Sequence, residues 1–182
     1  MATAGFIAFA PDLYHGSTAA STIDQAKKLM STLKQETVRE DVVKSVSGLH
    51  VHPKVRGRGL GAIGFSMGAY WAVWLAERFP ADMSAIVVFY GMGEGNFANS
   101  KAAFLGHFAE KDDYEDAASV REFERLVRAA GKDVAIHTYP GTKHWFFEKD
   151  RPDAYDAPAA KLAWDRTIRF LTTQMAGKSV GD

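Results

Sequence analysis

The chain has 182 residues, no cysteine, and 22 basic against 22 acidic side chains, so its formal net charge is zero. This length is enough for one continuous hydrophobic core, and we expect residues 1–182 to form a single domain. The lack of cysteine excludes disulfides, thiolate metal sites and a cysteine nucleophile. The balanced charge provides no basic field for nucleic acid or an anionic membrane, so neither is an expected partner.

The N-terminal segment is apolar but has no basic region before it, and Pro11-Asp12 interrupts it at once. This pattern disfavours a signal peptide. No apolar stretch of the sequence reaches the length of a membrane span. We therefore expect a cytoplasmic protein.

The first third of the chain is predicted to contain a strand, two helices and a polar loop, in the order Gly5–Ala10, Ser21–Gln35, Val38–His50 and Val51–Arg58. The strand prediction is based on a short apolar run that could be buried on both faces. Ser21-Thr22-Ile23-Asp24 resembles a capping box and marks the start of the first helix. Valines at intervals of four residues indicate the second helix.

The remaining two thirds are predicted to alternate strands with helices. The predicted strands are Gly59–Phe65, Ser84–Tyr90, Ala102–Ala109 and Val134–Tyr139, and the predicted helices are Met67–Phe79, Asp116–Ala130 and Ala157–Met175. In the last helix, Leu162, Ile168 and Leu171 are available for one buried face. Alternation of this kind is typical of an α/β fold, in which a mostly parallel sheet is covered by helices on both faces.

Ser66 lies in the pentapeptide Gly64-Phe65-Ser66-Met67-Gly68, a G-x-S-x-G between a predicted strand and a predicted helix. In a nucleophile elbow, a sharp turn between strand and helix exposes the serine hydroxyl, and small neighbours let the turn close. The backbone N–H of the following residue, Met67, then contributes to an oxyanion hole. The sequence therefore predicts a serine nucleophile at this position.

A serine hydroxyl needs a base that takes its proton, and the base is most effective when a carboxylate orients it. In α/β-hydrolases these groups follow the serine in the order acid, then histidine, each after a strand. Asp112 follows the predicted strand Ala102–Ala109, and His144 follows Val134–Tyr139. These two residues are the predicted acid and base, and Asp113 remains an alternative for the acid.

Several segments together resemble the dienelactone hydrolase family over nearly the whole chain. They are Gly5–Tyr14, the pentapeptide around Ser66, Lys111–Tyr114, Tyr139–His144 and Ala163–Thr167. The resemblance implies an α/β-hydrolase fold with Ser66 as nucleophile, Asp112 as acid and His144 as base, and it implies no cofactor. Members that hydrolyse dienelactone usually carry cysteine at the nucleophile, whereas serine is similar to the esterase-like branch.

The resemblance also implies two departures from the family. The chain begins where the family already has a central strand behind it, and the loop after that strand supplies a second oxyanion donor and a glutamate. We therefore expect an N-terminally truncated fold in which Met67 is the remaining donor. The family's arginines, which hold a substrate carboxylate, are also missing near Ile23 and after His144, where Trp145-Phe146-Phe147-Glu148 stands.

The predicted function is hydrolysis of a small carboxylic ester or lactone by a Ser-His-Asp triad, in a monomer or small homo-oligomer. Tyr14, Trp145 and Phe146 are candidate substrate contacts, with core packing as the alternative for each. The competing hypothesis is a catalytically incomplete fragment or binding module. Gly59–Gly64 fits G-x-G-x-x-G but lies within a predicted strand, so nucleotide binding is disfavoured. His50 and His52 lack an evident third metal ligand.

Overall fold

The structure, a computed structural model, describes residues 1–17, 22–55 and 59–176. The chain divides into two compact units, Met1–Arg56 and Gly57–Asp182. A single domain over residues 1–182 stays a prediction. Among the described residues, no helix combines the length and the apolar character needed to cross a bilayer.

The first unit contains a short 3-10 turn, Ala2–Ala4, and two helices, α1 (Ile23–Ser31) and α2 (Gln35–Val51). The N-cap of α1 is Thr22, whose hydroxyl accepts a hydrogen bond from the Gln25 N–H at 3.2 Å. Ser21, the other candidate cap, lies outside the described residues. The buried face of α2 consists of the three valines that define its predicted spacing, Val38, Val42 and Val46.

The predicted strand at Gly5–Ala10 is wrong. These residues form no regular element, and Ile7 and Phe9 are 41% and 61% exposed. A strand is stable when a neighbouring strand pairs with its backbone, and no strand in the described part of the chain pairs with this segment. An apolar run alone therefore does not determine a strand here.

In its described residues, 59–176, the second unit alternates four strands with three α-helices. The strands are β1 (Leu60–Phe65), β2 (Met83–Phe89), β3 (Ala103–Lys111) and β4 (Val134–Lys143), and the helices are α3 (Met67–Arg78), α4 (Ala117–Ala129) and α5 (Ala157–Met175). All three strand pairs are parallel, in the order β1-β2-β3-β4. This confirms the predicted parallel α/β architecture.

Helices cover both faces of this sheet. A Cβ at Gly61 would meet Leu171 and Met175 of α5, whereas one at Gly64 would meet the start of α3. Positions 61 and 64 are an odd number of residues apart, so they face opposite sides of β1. The sheet core between these layers is strongly apolar, and β2 is almost entirely buried.

In the second unit, the end of β4 and the buried face of α5 differ from the prediction. β4 continues through Pro140-Gly141 to Lys143, because the strand pairs again with β3 at Lys111 after an irregularity in the register. In α5 the buried residues are Ala160, Ala163, Thr167 and Leu171, while Leu162 is 46% exposed. The prediction that Leu162 belongs to the buried face is wrong, because small residues and a threonine occupy that face.

Candidate active site

Ser66 occupies a sharp turn between β1 and α3. Its backbone has φ 48° and ψ −118°, a left-handed conformation that a residue other than glycine seldom adopts. The turn is tight, since a Cβ at Gly64 would overlap the Gly68 carbonyl oxygen and one at Gly91 would lie 2.5 Å from the Ser66 carbonyl oxygen. This geometry matches the nucleophile elbow predicted from the pentapeptide.

The register of the parallel strands brings four residues to the same edge of the sheet. Phe65 of β1 pairs with Phe89 of β2, and Lys111 of β3 pairs with Lys143 of β4. The residues that follow these four are Ser66, Tyr90, Asp112 and His144. Because carboxyl ends of parallel strands lie side by side, residues far apart in the sequence become neighbours here.

Hydrogen bonds join Ser66, His144 and Asp112 in one chain. The His144 Nε2 atom lies 3.0 Å from the Ser66 hydroxyl, and the Nδ1 atom lies 2.9 Å from both carboxylate oxygens of Asp112. The His144 and Asp112 side chains are only 5% and 1% exposed. A neutral imidazole with its proton on Nδ1 would donate to Asp112 and accept from the serine hydroxyl.

Asp112 itself is fixed by backbone donors. Its Oδ1 atom accepts hydrogen bonds from the N–H groups of Tyr114 at 2.9 Å and Glu115 at 3.1 Å. Asp113, the alternative acid, is exposed. The structure thus brings the first of the two consecutive carboxylates to His144.

Met67 is the first residue of α3. The first N–H groups of a helix have no acceptor within the helix, and they point out of its positive end. The Met67 N–H therefore lies beside Ser66, where the sequence places an oxyanion donor. Its role remains a prediction.

Aromatic rings surround His144. The ring centroids of Tyr90, Tyr114 and Trp145 lie 4.9, 4.7 and 4.7 Å from that of the imidazole. Tyr114 is 48% exposed and Trp145 is partly exposed, whereas Tyr90 is fully buried. The Arg151 guanidinium lies over the Trp145 ring, 4.0 Å from the ring centroid.

The three predicted substrate contacts have different positions. Trp145 lies next to His144 with part of its surface exposed. Phe146 has no exposed surface and packs between Tyr90 and Tyr139, with ring centroids at 5.7 and 4.9 Å. This corrects the expected contact for Phe146, because a side chain without exposed surface cannot touch a substrate unless its neighbours move. Tyr14 belongs to the first unit, where it is half-buried and burial raises the pKa of its hydroxyl.

One residue near His144, Tyr90, was not singled out from the sequence. The Tyr90 hydroxyl donates a hydrogen bond to Glu148 Oε1 at 2.8 Å. Burial raises the pKa of the Tyr90 hydroxyl, and the Glu148 carboxylate raises it further, so Tyr90 stays protonated and acts as the donor. Tyr90 follows β2 as Ser66 follows β1, and this position at a strand end is the signal that could have identified it.

The two half-buried carboxyl groups near His144 are Glu115 and Glu148. Burial raises the pKa of Glu115, and the charge of Asp112 raises it further. Burial also raises the pKa of Glu148, an effect that the Tyr90 hydrogen bond opposes. Within residues 1–17, 22–55 and 59–176, no three His, Asp or Glu side chains are grouped as metal ligands would be.

Comparison with known proteins agrees with this architecture. The sequence pattern of the Dienelactone hydrolase family matches residues 1–175. An Aquifex aeolicus protein provisionally named carboxymethylenebutenolidase is 30% identical over 187 residues, covering 96% of this chain and 78% of that protein. A Bradyrhizobium protein provisionally named 2-oxo-3-(5-oxofuran-2-ylidene)propanoate lactonase is 32% identical over 194 residues, covering 98% and 77%.

Solved structures show the same fold. A Klebsiella pneumoniae protein provisionally named dienelactone hydrolase has a TM-score of 0.74 at 24% identity, covering 89% of this chain and 73% of that one. A dienelactone hydrolase-like promiscuous phosphotriesterase from metagenomic libraries has a TM-score of 0.73 at 21% identity, covering 82% and 68%. At these identities the likeness concerns the α/β-hydrolase fold alone. Because the family pattern matches the chain from its first residue to the end of α5, the chain belongs to the dienelactone hydrolase family.

Proposed function

We propose that this protein is a serine hydrolase that cleaves carboxylic esters or lactones, with Ser66 as nucleophile, His144 as base and Asp112 as the orienting acid. The observation that carries the proposal is the hydrogen-bond chain from the Ser66 hydroxyl through His144 to the buried Asp112 carboxylate. Nucleophile, base and orienting group within hydrogen-bond distance are the signature of nucleophilic catalysis.

Acylation uses the proton path that this chain provides. His144 Nε2 takes the hydroxyl proton while Ser66 Oγ forms a bond to the substrate carbonyl carbon, and the carbonyl oxygen becomes an oxyanion beside the Met67 N–H. Asp112 accepts the Nδ1–H bond and stabilises the imidazolium. When the tetrahedral intermediate collapses, Nε2 returns the proton to the leaving alkoxide, and an acyl-serine remains.

Deacylation repeats these steps with water. His144 Nε2 takes a proton from a water molecule whose oxygen bonds to the acyl carbon. The second tetrahedral intermediate then releases Ser66 Oγ, which receives the proton from Nε2, and the carboxylic acid departs. This cycle uses no metal and no organic cofactor, and its partner is a small-molecule ester or lactone.

The side chains near His144 support a neutral or aryl ester rather than an anionic lactone. Exposed aromatic surface on Tyr114 and Trp145 suits an uncharged ring. Glu148 lies in the stretch after His144 in which the family resemblance implies an arginine that binds a substrate carboxylate. A carboxylate at this place repels an anionic substrate.

The substrate class is tested by comparing kcat/KM for a neutral p-nitrophenyl ester with kcat/KM for dienelactone. We expect the neutral ester to be preferred by at least about tenfold, which corresponds to about 1.4 kcal/mol of difference in transition-state binding. A preference for dienelactone would contradict the specificity that we assign to this site.

The nucleophile is tested by fluorophosphonate labelling of the intact chain, with intact mass as the readout. An activated serine hydroxyl attacks the phosphorus, fluoride leaves, and one adduct remains on Ser66. We expect one adduct on the wild-type protein and none on Ser66→Ala, which is also expected to lose ester turnover. If folded wild-type protein takes up no label, the incomplete binding module becomes the better account of this chain.

A further inference from the structure

We propose that Tyr90 and Glu148 form a positioning pair, whose hydrogen bond holds the turn that carries His144 in register with Ser66. The inference rests on the proposed function, since it assigns a role in the same site. It concerns two side chains outside the triad, and neither has to touch the substrate to act.

The pair acts on the turn after β4. His144 directly follows the end of β4, and residues 144–147 form a turn rather than a helix or strand. The Glu148 N–H donates to the Trp145 carbonyl oxygen at 2.9 Å, so Glu148 is joined to the residue next to His144. A contact that fixes Glu148 therefore fixes this turn.

Tyr90 can supply that contact because its own position is held by burial and by a backbone hydrogen bond. It directly follows β2, has no exposed surface, and its N–H donates to the His107 carbonyl oxygen on β3 at 2.7 Å. Its backbone has a positive φ of 36°, which directs the residue out of the regular strand path. The ring packs against His144, and the hydroxyl reaches Glu148 at 2.8 Å.

Residues that follow the other three strands thus each restrain His144. Ser66 after β1 and Asp112 after β3 bind the two ring nitrogens directly. Tyr90, after β2, supports the ring by packing and the turn by its hydrogen bond to Glu148. An imidazole that shifts by a fraction of an ångström loses one of its two hydrogen bonds, and small misplacements of catalytic groups are costly in rate.

Variants of the pair can remove the donor, the acceptor or the negative charge separately. Tyr90→Phe keeps the ring and removes the donor, while Glu148→Ala removes the acceptor. Glu148→Gln keeps an amide oxygen that accepts from Tyr90 and removes only the negative charge. Tyr139→Phe is a matched control, because it also removes a buried hydroxyl with a 2.8 Å hydrogen bond, in this case to His107.

The experiment measures the second-order rate of fluorophosphonate labelling, ester kcat and KM, and Tm for the full chain and these variants. We expect Tyr90→Phe and Glu148→Ala to lower kcat and the labelling rate about tenfold with little change in KM, in line with the loss of about one hydrogen bond. The double variant should be no slower than the worse single variant, since both remove the same bond. Glu148→Gln should recover most of the rate, and Tyr139→Phe should lower Tm without a comparable loss of rate.

Three results would overturn the proposal. Unchanged rates in Tyr90→Phe would show that the bond does not position His144, and multiplicative losses in the double variant would show two independent effects. A Glu148→Gln variant as slow as Glu148→Ala would assign the effect to charge rather than to the hydrogen bond.

A readout without turnover separates this inference from the proposed function. The proton on His144 Nδ1, shared with Asp112, gives a downfield NMR signal that Asp112→Asn identifies by its loss. We expect the signal in wild type, Glu148→Gln and Tyr139→Phe, and we expect exchange to broaden it in Tyr90→Phe and Glu148→Ala. If the protein is not labelled but shows this NMR pattern, the proposed hydrolase is rejected and the positioning pair is kept. If neither Tyr90→Phe nor Glu148→Ala alters the signal, the positioning pair is rejected.

Discussion

Asp112 and Asp113 are consecutive carboxylates with different surroundings. Both lie in the segment after β3, and residue type alone does not distinguish them. The side chain of Asp112 is almost completely buried and receives two backbone N–H groups, while Asp113 is exposed. The difference arises from the turn after β3, which directs only one of the two toward His144.

We expect Asp112→Asn to lower kcat by about 10⁴-fold, because an amide that donates to His144 stabilises the wrong imidazole tautomer. Asp113→Asn should leave kcat within a factor of two, since Asp113 is exposed. Steady-state kinetics with a p-nitrophenyl ester measure both variants. Equal losses in the two variants would contradict the assignment of the acid.

The three residues that the sequence predicts as a triad lie together in the structure for a definite reason. In a parallel sheet, each catalytic residue follows a strand, so strand ends found in the sequence are already candidate positions. Tyr90 follows the same rule, but its hydroxyl has no predictable partner until the register and the turn at Glu148 are known. Phe146 shows the same limit, because whether an aromatic beside a catalytic histidine faces substrate or core depends on the turn geometry.

At the scale of elements, the two ends of the chain differ in how well the sequence determines them. The four strands of the second unit are predicted to within a few residues because each is apolar and bounded by turn signals. Gly5–Ala10 has the same apolar character and forms no strand, since pairing depends on a neighbour and not on composition. The first residue of the predicted capping box, Ser21, is outside the described residues.

Helix α5 provides a test of which face packs on the sheet. Leu171 is 1% exposed and contacts the position of Gly61 on β1, whereas Leu162 on the same helix is 46% exposed. We expect Leu171→Ala to lower the free energy of unfolding by about 2–5 kcal/mol, because it leaves a cavity under the helix. Leu162→Ala should change it by less than about 0.5 kcal/mol. Urea unfolding followed by circular dichroism compares the two, and similar losses would mean that α5 presents another face.

At the scale of the whole molecule, the buried His107 links stability to pH. It lies on β3 without exposed surface, and its ring nitrogens lie 2.8 Å from the Tyr139 hydroxyl and 3.0 Å from the Thr167 hydroxyl. Burial, with smaller contributions from His137 and Arg166, lowers the pKa of His107 to about 3. Between this value and the ordinary histidine pKa of about 6.5, the unfolded chain binds a proton that the folded chain excludes.

Acid therefore destabilises the fold through this residue. Stability from neutral His107 is complete above about pH 6.5 and decreases as the pH falls toward 3, by about 2 kcal/mol at pH 5. Between pH 7.5 and pH 5, we expect the unfolding free energy of wild type to fall by about 2 kcal/mol more than that of His107→Gln. Histidine NMR of the wild-type protein at pH 5 gives a second measurement, and a protonated His107 ring there would contradict the prediction.

The close backbone contacts around Ser66 also bear on how the nucleophile of this family diversifies. Gly64 and Gly91 leave no room for a Cβ near the elbow, so the tight packing restricts these two positions rather than the side chain of Ser66. Beyond its Cβ, Ser66 contributes one heavy atom, and cysteine would place sulfur where that oxygen is. An exchange between oxygen and sulfur thus changes one side-chain atom and leaves the glycines that close the elbow in place. The same fold can therefore present a nucleophile of different reactivity toward electrophiles, with the same histidine, acid and strand order.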